Sequence, residues 1–197
     1  MISAARHDAL SDGIFGVAMT LLVLDLRLPE NFNPADDQDL LKALLALWPK
    51  FFPYALSFFV LGLRWRALAR VRAAESFGVG YFYWWLAFLL LVTCVPFSTM
   101  VIGRFPNRVP AIWLYAGNTA LIAIASYGML RESAPEHGPR LRERQVSLTL
   151  LLGSSLLAMA WSVVTARAAL LPLVLNAAGP MLSRWLGSGM PSHADKR

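Results

Sequence analysis

The segment from residue 6 to residue 25 mixes ionisable and hydroxyl side chains into an otherwise apolar run. Arg6, Ser11, Asp12 and Asp25 would be out of place on a helix that faced only lipid, because charged groups are costly in hydrocarbon. Polar groups inside a membrane span usually mark a packed interior, an ion path or a proton relay. These residue types therefore favour the movement of ions or protons as the chemistry of this segment.

A stripe of small, hydroxyl and apolar residues runs along the same segment at helical spacing. At about 100° per residue, its members fall on one face of a helix. They are Gly13, Val17, Thr20, Leu21 and Leu24. If several copies met around an axis, Thr20 would supply a ring of hydroxyl oxygens, and the apolar rings could gate by dewetting. Plain helix packing, with Thr20 bonded to its own backbone, produces the same stripe. Periodicity alone leaves both interpretations open.

Long apolar runs predict the elements that must position this stripe. Of the 197 residues, 57% are hydrophobic and 15% are charged, whereas about 25% are charged in a typical soluble domain. A membrane span needs about 20 mostly apolar residues. The sequence predicts an all-α, polytopic membrane protein forming a single domain over 1–197, with a disordered tail over 190–197. Its six predicted spans are 6–28, 43–64, 77–103, 109–130, 146–166 and 168–186.

The distribution of basic residues predicts the orientation in the membrane. With six spans both termini share a side, and that side would carry 12 of the 18 Lys and Arg residues, leaving 6 opposite. Because cytoplasmic loops carry the excess of Lys and Arg, both termini are predicted to be cytoplasmic at the cell membrane. Tryptophans near the span ends, including Trp65 and Trp85, are predicted to lie at the membrane interface.

Several other classes of function find little support. The net charge of +6 could suggest nucleic acid, but the charges lie in short clusters between apolar runs and form no basic stripe. His7, His137 and His193 are far apart in the sequence, so no metal site is predicted, and neither is a cofactor or a soluble partner. No enzyme motif is found. Cys94 lies in an apolar run and is expected to be inert packing.

One alternative from another class stays open at this level. A proton-coupled secondary transporter could use Asp12 and Asp25, because intramembrane acids are typical of proton relays. Six spans without an inverted repeat are few for a transporter.

The first segment also resembles a known family. Arg6-x-x-x-Leu10-Ser11-Asp12 is similar to the Arg-x-x-x-Phe-Ser-Asp signature of the prokaryotic TMEM175 potassium channels. Pro96-Phe-Ser-Thr99 resembles the Pro-Phe-x-Thr element of that family, and Tyr115 with Asn118 resembles its Tyr-x-x-Asn pattern.

This resemblance implies a six-helix subunit that assembles as a homotetramer in the bilayer around its first helices. It further implies a channel that prefers potassium, its permeant ion, to sodium without a Gly-Tyr-Gly filter, and this sequence has no such filter. The resemblance implies apolar gating positions, a selectivity hydroxyl, small pore-lining positions and a polar network at the cytoplasmic end. The gating positions are Val17, Leu21 and Leu24, and the selectivity hydroxyl is that of Thr20. The small pore-lining positions are Gly13 and Gly16. The polar network is formed by Arg6, Ser11 and Asp12.

The sequence departs from the family pattern at three positions. Leu10 replaces the Phe of the signature, Val17 stands where a longer Ile or Leu is common, and Leu68 stands where a His often follows the Trp of the second span. The resemblance therefore says less about gating and ion preference in this chain than about its architecture.

Overall fold

The computed structural model describes residues 4–69, 78–133, 139–165 and 172, and every regular element in these ranges is a helix. The first helix ends in a short 3-10 turn, Leu22–Asp25. The helices are α1 Ala4–Leu21, α2 Asp37–Leu45, α3 Trp48–Ala69, α4 Val79–Arg104, α5 Val109–Glu132 and α6 Pro139–Val164.

Four helical stretches in the described ranges are long and apolar enough to cross a membrane. They are Ala5–Asp25, Val79–Arg104, Val109–Glu132 and Arg144–Val164. The pair α2 and α3, bent by 47°, would make a fifth span if it crosses as one unit. The prediction of an all-helical, multi-pass membrane protein is confirmed. Apart from residue 172, the predicted span 168–186 and the tail 190–197 lie outside the described residues, so the count of six stays a prediction.

The bend between α2 and α3 differs from the single helix that the sequence predicted over 43–64. Pro49 has no N–H to donate to the carbonyl of Leu45, and it disfavours helical geometry at the residue before it. The chain therefore leaves α2 after Leu45 and begins α3 at Trp48. The other end of α2 is capped by Asp36, whose carboxylate accepts from the Asp39 N–H at 2.8 Å.

The described helices pack around α4, which contacts α1, α3 and α5, while α6 packs on α5. The core between them is apolar and dense. Phe15, Leu61, Phe88, Val92 and Ile122 belong to one buried cluster, each no more than 2% exposed. In this arrangement α1 packs against α3 and α4.

Buried polar groups tie the inner helices together at the residues that resemble family elements. The Ser57 hydroxyl lies 2.8 Å from the hydroxyl of Thr99 and 3.0 Å from that of Tyr115. Asn118 donates from its side-chain amide to the carbonyl of Leu91 at 3.2 Å, across α5 and α4. These bonds satisfy polar groups in an apolar interior. They join α3, α4 and α5, and α1 packs against α3 and α4.

Candidate functional site

One face of α1 and its 3-10 turn is buried against the rest of the chain. Ser11, Phe15, Ala18 and Leu22 are each 1–2% exposed, and their spacing of four, three and four residues places them on a single helical face. Phe15 also contacts the ring of Phe88 on α4. Because this face is anchored, the rotation of α1 about its axis is set by the core.

The opposite face carries the predicted stripe, and all of it is exposed. Val17 is 58% exposed and Leu24 is 64% exposed, and a Cβ added at Gly13 or Gly16 would meet no atom within 4 Å. The stripe therefore does not serve packing within one copy of the described chain. The exposed positions are Gly13, Gly16, Val17, Thr20, Leu21 and Leu24.

The hydroxyl of Thr20 is bonded to its own helix. Its oxygen donates to the carbonyl of Gly16 at 3.0 Å and to that of Val17 at 2.9 Å. The hydrogen bond from Thr20 to its own helix backbone, which the sequence left as one possibility, is therefore present. A hydroxyl has one donor and two acceptor lone pairs, so the bond directs the hydrogen towards the helix and leaves the oxygen lone pairs to face outward. An exposed oxygen of this kind can accept from water or coordinate a cation.

The polar residues near the start of α1 are held by tryptophans of the neighbouring helices. Trp85 Nε1 donates to the Ser11 hydroxyl at 3.0 Å, and Ser11 donates in turn to the His7 carbonyl at 2.9 Å. Trp65 Nε1 donates to the Asp12 carboxylate at 2.8 Å. Ser11 and Asp12 therefore link α1 to α4 and α3. Arg6, the third member of the predicted network, is exposed and takes no part in these three bonds.

His7 packs as an aromatic residue against α4. Its ring lies edge-on to Trp85 at 4.6 Å and to Phe82 at 5.9 Å between centroids. Within the described ranges no three His, Cys, Asp or Glu side chains are grouped so that they could hold a metal ion. His137 and His193 lie outside those ranges.

The second acid of the segment lies at the other end of α1. Asp25 accepts from Arg104 Nε at 3.2 Å, and its side chain is only 14% exposed. A Cβ at Gly103 would come within 3.3 Å of the Asp25 carboxylate, so a glycine suits that position. With a rise of about 1.5 Å per residue, Asp12 and Asp25 lie about 20 Å apart along the helix. The two carboxylates therefore belong to separate sites.

Comparison with known proteins shows what this arrangement is similar to. The model of the family described as endosomal/lysosomal potassium channel TMEM175 matches residues 6–96, which include α1, α3 and most of α4. The crystal structure of a lysosomal potassium-selective channel TMEM175 homolog from Chamaesiphon minutus matches with a TM-score of 0.77. That match is 28% identical and covers 91% of this chain and 97% of that one. Over these residues and in its fold, the chain is similar to the TMEM175 family.

Two curated relatives show the same similarity. A potassium channel of Chamaesiphon minutus is 32% identical over 136 residues, or 66% of this chain. A potassium channel of Streptomyces collinus is 32% identical over 132 residues, or 64% of this chain. The chain spans 65% and 60% of the length of these two relatives, slightly less than two thirds.

The sequence did not predict the surroundings of Trp85. Trp85 was expected at the membrane interface, but it is 4% exposed and donates to Ser11. An indole N–H is a donor that needs a partner when it is buried, and the Ser11 oxygen supplies one. The sequence did indicate that Ser11 and Asp12, inside an apolar segment, would need hydrogen-bond donors. Trp85 and Trp65 supply those donors.

Replacing Trp85 by Phe tests this bond between the TMEM175 motif and α4. Trp85→Phe keeps an aromatic ring but removes the N–H, so it should lower stability by about 1 kcal/mol, the usual net worth of one hydrogen bond. It should also loosen α1 and change ion flux. The measurements are the thermal unfolding midpoint and flux in liposomes.

A matched control is Trp113→Phe, which removes the bond from Trp113 Nε1 to the Ser162 hydroxyl, far from α1. It should lower stability by a similar amount and leave flux unchanged. Equal flux in the two variants would mean that the Trp85 bond serves general packing only.

Proposed function

We propose that the chain is the subunit of a homotetrameric, potassium-permeable channel whose pore is lined by the exposed face of α1. The observation that carries this proposal is the exposure of the whole predicted stripe on a helix whose opposite face is buried. The names of the relatives, which are potassium channels and not enzymes, support it. The proposed setting is the cell membrane, with both termini cytoplasmic.

The chemistry of the stripe suits a pore that is closed by apolar rings. Four copies of Val17, Leu21 and Leu24 would form narrow apolar layers, which expel water when the passage is tight and so stop ions. Thr20 lies between Val17 and Leu21 and would offer four hydroxyl oxygens to a passing cation. These oxygens replace only part of a hydration shell, so the preference for potassium over sodium should be moderate.

The neighbours of α1 supply the rigidity that such a pore needs. The buried face of α1 rests on the core, and the Trp65 and Trp85 bonds fix the end that carries Ser11 and Asp12. Leu10, in place of the Phe of the signature, is 49% exposed on the uncovered side. It would therefore pack between subunits. No cofactor is needed for this mechanism, because potassium is the permeant ion.

Potassium flux from liposomes tests the proposal directly. Purified full-length chain is sized in detergent and then reconstituted in liposomes loaded with potassium. Flux well above that of empty liposomes is expected from a preparation that sizes as a tetramer. Tetrameric protein without potassium flux would overturn the proposal.

The role of the Thr20 oxygen gives a specific prediction about selectivity. Thr20→Val keeps the shape of the side chain but removes the oxygen, so the preference for potassium over sodium should fall towards equal permeation. The measurement is the reversal potential under mixed potassium and sodium gradients. The control is Thr149→Val, because Thr149 is exposed on α6 and also bonds back to its helix. An unaltered reversal potential in Thr20→Val would exclude Thr20 from the selectivity step.

The proton-coupled transporter receives less support from this geometry. Asp25 is paired with Arg104, and Asp12 accepts from Trp65 at the other end of α1. A relay between them would have to cross about 20 Å of apolar stripe. Saturating, proton-coupled uptake without single-channel steps would nevertheless favour the transporter over the channel.

A further inference from the structure

The end of α1 that lies away from Ser11 and Asp12 tightens into the 3-10 turn Leu22–Asp25. A 3-10 helix has about three residues per turn, so side chains three positions apart stand on the same side. Leu22 and Asp25 therefore share one side of the turn. A continued α-helix, at about 100° per residue, would place Asp25 about 60° away from Leu22. The tighter turn thus aligns the Asp25 carboxylate with the buried face of α1.

Burial along the turn follows this geometry. Leu22 is 2% exposed, and the side chain of Asp25 is 14% exposed. Val23 and Leu24, which stand on the other sides, are 47% and 64% exposed. The turn contacts α3 and α4, so it is held on one side and open on the other. Leu24, the last residue of the predicted stripe, therefore lies between two residues that face the core of the subunit.

Asp25 is held by the last residue and by the backbone of α4. Its Oδ1 accepts from Arg104 Nε at 3.2 Å. A Cβ at Gly103, which is buried, would lie 3.3 Å from Oδ2 of Asp25 and 3.9 Å from the Cα and Cβ of Lys50 on α3. The carboxylate thus lies against bare backbone where α3 and α4 approach each other, and a side chain at position 103 would crowd it.

The ion pair acts on a part of the chain that the apolar core no longer covers. Leu22 is the last buried residue before Leu26, whose φ of −82° and ψ of 66° end the turn. The N–H of Leu26 closes the turn with a hydrogen bond of 2.9 Å. Hydrogen bonds between ionised groups are stronger than neutral ones. The bond from Arg104 to Asp25 therefore extends the hold on the turn beyond Leu22.

We propose that Asp25, acting through Arg104, is the positioning residue for the last apolar ring of the pore, the ring formed by Leu24. The pair fixes the rotation of the 3-10 turn, so that four copies of Leu24 stay close to the axis and keep the passage narrow enough to expel water. This inference rests on the proposed function, because it needs a pore axis that the α1 helices surround. Asp25 faces the core of its own subunit, so it acts on the ring through the backbone of the turn.

The test compares potassium flux from liposomes that contain tetrameric full-length protein. Asp25→Asn keeps the shape of the side chain and removes the charge of the pair, whereas Arg104→Met removes the donor. Both variants should raise flux by at least about threefold, within the range that a partly exposed ion pair contributes. The double variant should rise no further than the larger of the two single rises, because there is one pair to break.

The same two substitutions separate positioning from a charge effect at the pore mouth. Loss of an acid there would lower the local concentration of cations, and loss of a base would raise it. A charge effect therefore changes flux in opposite directions in Asp25→Asn and Arg104→Met. The matched control is Glu30→Gln, which breaks the exposed ion pair of Arg27 and Glu30, 3.4 Å apart in the segment that follows the turn. Flux in Glu30→Gln should stay at the wild-type level.

Hydrogen exchange at the Leu26 amide supplies a readout that does not depend on flux. Local opening of the turn exposes this amide, so it should exchange at least about threefold faster in Asp25→Asn and in Arg104→Met. It should keep the wild-type rate in Glu30→Gln. Faster exchange in a protein that never conducts potassium would overturn the channel and still support the anchoring of the turn by Asp25.

Three results overturn the positioning role. The first is an unchanged rate of exchange at Leu26 in both single variants. The second is flux that fails to rise in Asp25→Asn although the wild-type protein conducts. The third is a flux in the double variant that equals the product of the two single changes, because Asp25 and Arg104 would then act separately.

Discussion

Val17→Asn is expected to raise potassium flux through the reconstituted channel. Val17 is the most exposed large apolar side chain of α1, and in a tetramer it would form the first apolar ring of the stripe. Four amides at this level would hydrogen-bond to water and keep the passage wet, which removes the dewetting barrier. An increase of at least about tenfold corresponds to a barrier lowered by about 1.4 kcal/mol.

The control for this substitution is Val163→Asn on α6. Val163 is 69% exposed and belongs to a helix that packs on α5, away from α1. Both variants place the same amide on an exposed helix face, so they should fold equally well. Flux should rise only in Val17→Asn. If flux in Val17→Asn stays at the wild-type level while the tetramer remains intact, Val17 does not close the pore.

The division of α1 residues into two opposite faces could be predicted from the sequence, because the helical period alone separates them. Once Gly13, Val17 and Thr20 fall on one stripe, Phe15 and Ala18 must fall on the other. The structure buries Phe15 and Ala18 and exposes the stripe. The helical period separates the two faces without knowledge of distant residues, but it left open which face would be buried.

The partners of that helix could not be predicted in the same way. Ser11 meets Trp85 across 74 positions of the chain, and no local pattern selects Trp85 above the other tryptophans near the span ends. The bend before Trp48 is a different case. Its cause, Pro49, is visible in the sequence, but hydropathy averages over a proline, so the predicted span 43–64 joined the end of α2 to α3.

Arg64 shows a third kind of limit. Among the basic residues at and beyond the end of the predicted span 43–64, it looked like an orientation signal of the positive-inside type. Its burial depends on helices that are distant in the sequence, including α6, whose Ser147 hydroxyl accepts a hydrogen bond from Arg64. A charge count along the sequence cannot separate Arg64 from Arg66, although one is enclosed and the other is exposed.

Gly16→Leu is expected to abolish potassium flux without harming the fold of the subunit. A Cβ at Gly16 meets no atom of the described chain within 4 Å. Leu is also a better helix former than Gly, by up to about 1 kcal/mol. Stability of the subunit should therefore hold or rise. In a tetramer built around α1, four isobutyl groups would fill the narrow axis, so flux should fall to that of empty liposomes.

Gly153→Leu is the matched control, since Gly153 is also exposed and a Cβ there also meets nothing within 4 Å. It lies on α6, which packs on α5, away from α1. The two variants add the same side chain to equally open helix surfaces, so a difference in flux can arise only from what faces those surfaces in the assembly. Wild-type flux in Gly16→Leu would mean that this face of α1 contacts lipid. Lost flux in Gly16→Leu, with normal flux in Gly153→Leu, places the pore along α1.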